Sequence, residues 1–407
     1  MPGPPTIFVA RQPIFDRRAA VHGYELLFRG SAENRFTGGD VESASAINIE
    51  QSTAAFGLDA LVGERLAFVN LSRGALLQEF YRMLPSERTV IELLESVHGD
   101  AEVLEACREL KRRGYRLALD DFTDAPHSQP LLAYADIVKV DLRQTPEALT
   151  PGFTSRLRGK RLSLVAEKVE TPQEHRRAMA AGYDLFQGYY FCQPEMIETR
   201  DLAPSQLSQM RFLAEVSRSE VSFEQLEELF RRDVAMTLRL LRYLNSAAFG
   251  WRHEIRSVGH ALMLMGVRPL RKWAMMMGFL RLAGDKPHEL AITALTRARF
   301  AEQLGPPAGL EHHDSELFLT GILSTAEAML GRSLRDVLTA LAVPDMVRTA
   351  LLDGGSRLGA VLRIVMAYER GDWPTVESVR TECAVDERAL TDAYVSSLQW
   401  AETSAAA

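Results

Sequence analysis

Seven short apolar runs follow one another through the first half of this 407-residue chain, and each carries a polar residue towards its C-terminal end. The runs are VHGYELLF, LAFVNL, TVIELL, YRLALDDF, DIVKVDL, LSLVAEKV and YDLFQGYYF, and the polar residues are Glu25, Asn70, Glu92, Asp120, Lys139, Glu167 and Gln187. A charge buried at the end of a strand costs stability unless it is paired or binds something. One such residue per run predicts a single site assembled from many strand ends.

Helical segments separate the runs. Between Glu92 and Asp120 lies AEVLEACRELKRRG, whose Val103, Leu104 and Cys107 share a helix face. Repetition of strand, helix and strand predicts a parallel sheet. Contributions from so many strands favour a closed (β/α)8-type barrel, in which a site lies at the C-terminal strand ends. Beyond residue 200 the β-rich runs stop. SFEQLEELFRRD opens with Ser222 and Gln225 in capping-box spacing, and further helical segments follow. The expected organisation is α/β plus all-α: a barrel domain over 1–202, a helical domain over 203–395 and a C-terminal tail over 396–407.

A net charge of −7 gives no electrostatic footprint for nucleic acid. Cys107, Cys192 and Cys383 are widely spaced, which argues against a zinc ribbon or a disulfide framework. The N-terminus lacks the basic-then-apolar pattern of a signal peptide. The most apolar later stretch, from Trp273 to Leu280, is far shorter than the ~20 residues of a membrane helix. A cytoplasmic location without membrane attachment is expected.

The residue types point to phosphate chemistry. Asp120 and Asp121 are adjacent carboxylates that a turn can bring to one cation or to a pair. Glu25, Asn70 and Glu92 add oxygen donors of the kind Mg2+ or Mn2+ prefers. Two such metals activate water and stabilise the leaving oxygen of a phosphodiester. Lys139, on a strand covered on both sides, needs an anion, and a lowered pKa there would permit proton transfer. Taken singly, each residue also has a plain reading: Asp-Asp as a turn, Lys139 reaching for solvent, Glu92 and Glu95 as a solvated pair. The argument rests on the set.

That set resembles the EAL domain of cyclic di-GMP phosphodiesterases. Tyr24-Glu25-Leu26-Leu27 is similar to the motif that names the family, with Leu26 in place of alanine. Asn70 in FVNLS, Glu92 and Glu95 in ELLE, Asp120-Asp121-Phe122, Lys139 in VKVD, Glu167 and Glu170 in AEKVE, and Gln187 in QGYYF follow in the family's order. The resemblance implies that Glu25, Asn70, Glu92, Asp120 and Asp121 hold two divalent metals. It further implies that Lys139 and Glu167 serve catalysis in an active member, with Glu95, Glu170 and Gln187 in support. Three departures stand out. Thr123-Asp124-Ala125-Pro126 replaces a glycine-containing loop, Lys168 replaces the usual glycine of AEGVE, and Leu94 replaces a threonine.

The second half resembles the HDOD domain, through LRYLNSAAFG and the IRSV…AL…MG stretch. Ser324 and Thr325 occupy the positions where related HD phosphohydrolases carry their metal dyad, so neither chemistry nor a cofactor is expected in this half. His312, His313 and Asp314 precede that helix as a capping loop. Arg252, His253, Arg256, Arg268, Arg271 and Lys272, with Trp251 and Trp273, form either a solvated surface with packed tryptophans or a docking face. Met263, Met265, Met275, Met276 and Met277 are expected in the core. The resemblance, taken with the departures in the loop after Asp121, leads to the expectation of a bacterial signalling protein that binds cyclic di-GMP with little or no hydrolysis and contacts a regulatory partner through the HDOD half. An active phosphodiesterase making pGpG and a ligand-independent scaffold are the alternatives.

Overall fold

The computed structural model describes residues 7–30, 57–192, 204–217, 221–245, 255–283, 286–341 and 343–406. Trp251, Arg252, His253 and the expected boundary at 202–203 lie outside them. Two compact units emerge. One joins residues 1–193 to 367–378 and 386–395, and the other joins 194–366 to 379–385 and 396–407.

The first unit is built on eight strands: β1 (Ile7–Asp16), β2 (Val21–Gly30), β3 (Leu66–Leu71), β4 (Thr89–Leu93), β5 (Arg116–Leu119), β6 (Ile137–Asp141), β7 (Ser163–Glu167) and β8 (Leu185–Gln187). They close into a barrel in chain order. All neighbours are parallel except at β1, which runs antiparallel to both β2 and β8. The runs read from the sequence are β2 to β8. The closing strand β1 is the addition, and it departs from the all-parallel expectation.

The crossover helices form for local reasons. Asp100 caps Ala101–Arg112 by accepting from the Val103 N–H at 3.0 Å, and Val103, Cys107 and Leu110 are buried while Leu104 is half-buried. Thr171 and Glu174 close a reciprocal capping box on Pro172–Ala181. A hairpin joins β1 to β2, so no crossover helix lies between them. Residues of the C-terminal helices pack on β1 instead. The Phe8 ring stacks on Trp373 at 5.7 Å and meets Tyr368 edge-on at 6.0 Å, and the Arg11 N–H donates to the Tyr394 hydroxyl at 3.2 Å.

Seven residues, Ile14, Phe68, Val90, Ala118, Ile137, Val165 and Leu185, form one buried apolar cluster inside the barrel, one from each strand except β2. Gly23 supplies β2's place. A Cβ there would sit 2.7 Å from the Phe68 ring and 2.8 Å from the Leu66 carbonyl oxygen. The glycine therefore lets β2 approach its neighbour over a bulky ring.

In the second unit Ser222 and Gln225 form the expected capping box on Phe223–Arg232. Helices His288–Gln303 and Asp314–Leu323 pack closely at Gly321, where a Cβ would meet the Arg297 carbonyl oxygen at 2.4 Å. Phe212, Phe230 and Trp273 form an aromatic core, and Met275, Met276 and Met277 are buried as expected. Met263 is 75% exposed, contrary to a core role, because it lies on the outer face of Val258–Met265. The expected tail from 396 is helical as far as Ala406, continuing a helix that starts at Glu387. Its Ala401 and Ser404 are buried, and burial gives the segment a reason to be ordered. No helix among the described residues is long and apolar enough to cross a membrane.

Candidate active site

Strand side chains alternate between faces, so residues two apart point the same way. Two positions past Phe68, Val90, Ala118, Ile137, Val165 and Leu185 come Asn70, Glu92, Asp120, Lys139, Glu167 and Gln187. Two past Gly23 comes Glu25. On antiparallel β1 the offset reverses, and Gln12 lies two before Ile14. One pleat repeat thus converts a closed apolar layer into a layer with a polar residue from every strand. Gln12 is the member that sequence reasoning missed. Its chain direction hides it from a search for polar residues following apolar ones.

Lys139 is the hub. Fully buried, its Nζ lies 3.0 Å from Glu25 Oε2, 3.1 Å from Glu92 Oε1, 2.8 Å from Asp120 Oδ1 and 3.0 Å from Glu167 Oε1. Glu25 is held further by the Asn70 amide at 2.7 Å and the Gln187 amide at 2.6 Å, and the latter also donates to Gln12 Oε1 at 2.9 Å. An ammonium has three N–H donors and cannot satisfy four carboxylates. Glu92 is left over: neither of its oxygens makes a hydrogen bond, although both are buried. Asn70 Oδ1, Glu167 Oε2 and Asp121 Oδ1 are buried and unbonded as well.

The electrostatics follow from this imbalance. Burial pulls the Lys139 ammonium down, but Glu167, Glu25, Glu92 and Asp120 together carry its pKa well above the usual lysine range. The lysine is therefore a locked cation, and the expected lowered pKa is corrected. Burial pushes the Glu92 carboxyl well up despite Lys139, and Glu167 rises to about 8 for the same reason. Asp120 and Asp121 are raised, burial again being the largest cause. In Glu25, burial acts upward, but Lys139 and the hydrogen bonds from Gln187, Lys139 and Asn70 outweigh it, and the net shift is down.

At the mouth, Asp141 lies one pleat beyond Lys139 on β6. Its Oδ1 accepts the Arg143 N–H at 2.7 Å and its Oδ2 accepts Lys168 Nζ at 2.6 Å. Lys168 Nζ is also 3.7 Å from Asp121 Oδ1. Asp141 was not singled out from the sequence; its position two residues after Lys139 was the available signal. Glu95 is exposed and reaches the site only through its charge on Asp121. Glu170 is turned to an ion pair with Arg143 at 2.7 Å, with about half of each side chain exposed. Both glutamates therefore stand outside the layer, because each lies beyond the end of its strand. The altered loop is held by Phe122, which is buried and whose N–H donates to the Lys139 carbonyl at 2.9 Å.

Among the described residues, no three acidic, histidine or cysteine side chains already converge as a metal cage. The Lys139 ammonium sits where four of the carboxylates meet. The donor chemistry nonetheless fits a hard divalent cation: oxygen donors, several of them buried and unbonded, and six carboxylates against two ammonium groups.

In the helical unit, Ser324 and Thr325 lie at the break between Asp314–Leu323 and Ala326–Leu330, and their hydroxyls donate to the Gly321 and Ile322 carbonyls. His313 stands at the N-cap position of the first of these helices without a side-chain capping hydrogen bond, and Asp314 is its first residue. Arg271 donates to the carbonyls of Val216 and Ser217 at the end of Pro204–Ser217, and Lys272 pairs with Glu302, so these two cations have structural partners.

Comparison with known proteins gives two family matches, the EAL domain over residues 67–194 and the HDOD domain over 203–342. A Vibrio cholerae protein named cyclic di-GMP phosphodiesterase CdgJ is 32% identical over 400 residues, covering 98% of this chain and 93% of that one. The uncharacterized protein YuxH of Bacillus subtilis is 31% identical, covering 97% and 98%. The Klebsiella pneumoniae BlrP1 calcium and cyclic di-GMP complex matches at 24% identity over 46% of this chain and 55% of that one, with a TM-score of 0.39.

Proposed function

We propose, from the premise that this chain belongs to the family in which an EAL domain is followed by an HDOD domain, that its barrel binds cyclic di-GMP at the polar layer and hydrolyses it slowly or not at all. The observation that carries this reading is the complete polar layer with its surplus of carboxylates. In this reading Glu25, Asn70, Glu92, Asp120 and Asp121 hold Mg2+ or Mn2+. A bound divalent cation of this kind supplies charge neutralisation for a phosphodiester and an acidified water. The Asn70 and Gln187 amides fix the orientation of Glu25. Lys139, held in its charged form, keeps the carboxylates together and acts as a positioning cation. Burial lifts the Glu167 carboxyl to about 8, which makes it the group suited to exchange a proton. Slow turnover is supported by the altered support: Pro126 and the lost glycines after Asp121, and Lys168 between Asp121 and Asp141. Misplacement by ~1 Å costs orders of magnitude in rate. The helical domain carries the ligand state of the barrel to a regulatory protein partner and does no chemistry of its own.

A second reading, an active phosphodiesterase making linear pGpG, is favoured by the completeness of the layer and by the name of the Vibrio relative. Incubating the full chain with cyclic di-GMP and Mn2+, and following bound nucleotide and pGpG together, separates the two. Retained, bound cyclic di-GMP supports the first; rapid pGpG formation lost in Glu25→Ala supports the second. No bound nucleotide and no product would defeat both.

A further inference from the structure

The proposed site places two ammonium groups among its carboxylates, and they are not equivalent. Lys139 stands within the layer, with four carboxylates around it and buried oxygens left unbonded. Lys168 stands at the mouth, where β7 has ended, and its surroundings are nearly satisfied. Asp141 is only 3% exposed and has both oxygens bonded, one by Lys168 and the other by the N–H groups of Arg143 and Gln144 at 2.7 and 3.4 Å. Asp121, with φ of 40°, turns Oδ1 to within 3.7 Å of the same ammonium and gives that oxygen no hydrogen bond.

The backbone adds an independent observation. Lys168 has φ of 56°, the left-handed region in which a side chain with a Cβ is strained. A strained non-glycine residue persists where its side chain is held by its surroundings, and such residues cluster at functional sites. Here the strain delivers an ammonium to the gap between two carboxylates that belong to different strand ends.

From this geometry we infer that the Lys168 ammonium occupies one of two cation positions at the barrel mouth, the one beside Asp121 and Asp141, so that the barrel takes up a single divalent cation, on the Glu25, Asn70, Glu92 and Asp120 side. The inference rests on the reading of the layer as a cation site. An ammonium can neutralise a phosphate oxygen and donate hydrogen bonds to it, but it has no coordination position with which to acidify a water. A site with one exchangeable and one tethered cation retains its attraction for a phosphodiester while losing part of the apparatus for cleaving it.

The test is a count. The full chain is stripped with EDTA and titrated with Mn2+ alone, and bound metal per chain is read by equilibrium dialysis and by loss of the free-Mn2+ paramagnetic signal. One Mn2+ in the natural chain and two in both Lys168→Gly and Lys168→Gln are expected. Glycine removes charge and backbone strain together, while glutamine removes only the charge. Two Mn2+ in the natural chain, or one in all three proteins, would overturn the inference and leave the cation site standing. A second Mn2+ in the glycine variant alone would also overturn it, by tracing the exclusion to backbone shape. No bound Mn2+ in any of them would overturn the cation site and the inference with it.

Discussion

Replacing Lys139 with methionine keeps the length of the side chain and removes its charge. The ammonium lies within 2.8–3.1 Å of four carboxylates and its side chain is 1% exposed. Removing one partner from a buried ion cluster costs about 3–5 kcal/mol, because the remaining charges stay buried without compensation. For a domain of this size each kcal/mol moves the melting temperature by about 2–4 °C, so Lys139→Met lowers it by about 6–20 °C in EDTA. Part of that loss returns with Mn2+, since the freed carboxylates then have a cation to bind. At about a hundred times its Kd a metal contributes about 2.7 kcal/mol. The assay is thermal unfolding followed by circular dichroism, with EDTA and with Mn2+. A fall below about 2 °C would refute the claim that Lys139 holds the carboxylates together. A normal fall with no recovery in Mn2+ would refute the claim that those carboxylates accept a cation.

Further outcomes follow from other contacts. Asp120→Asn is expected to weaken Mn2+ binding at least tenfold while leaving the circular dichroism spectrum of the full chain unchanged, as read by metal titration. Gly23→Ala and Gly321→Ala are each expected to destabilise their own unit by about 1–3 kcal/mol in urea unfolding, through overpacking against Phe68 and the Arg297 carbonyl respectively. His175 stacks on Tyr190 at 4.3 Å, and burial, then Arg176 and Arg17, lowers its pKa below 6.5. The unfolded chain therefore takes up that proton first, so the stabilisation from neutral His175 is complete above 6.5 and is lost as pH falls through the lower folded value. His175→Phe is expected to flatten that part of the stability-against-pH curve.

The pleat explains what was legible in the sequence. Seven of the polar layer residues announced themselves because each follows its strand's core position, Gly23 on β2 and an apolar residue on the others, by two positions. Gln12 did not, because β1 runs the other way and its polar residue precedes Ile14. Glu95 and Glu170 matched a motif but lie past the strand ends, where motif order no longer fixes which way a side chain points. The meeting of Asp121, Asp141 and Lys168 depends on three strand ends coming together, which no local pattern records. Packing of residues 367–378 and 386–395 with the barrel was equally hidden, since helical periodicity identifies a buried face and not the surface that buries it.

The most direct measurement is calorimetric titration of the full chain with cyclic di-GMP, with Mn2+ and with EDTA, beside the Glu25→Ala variant. Glu25 is the carboxylate that Asn70, Lys139 and Gln187 all hold in place. Saturable binding in Mn2+, weakened at least tenfold in EDTA and in Glu25→Ala, is the expected result. Absence of binding in every condition, or binding of equal strength in Glu25→Ala, would contradict the assignment of the polar layer as the nucleotide site.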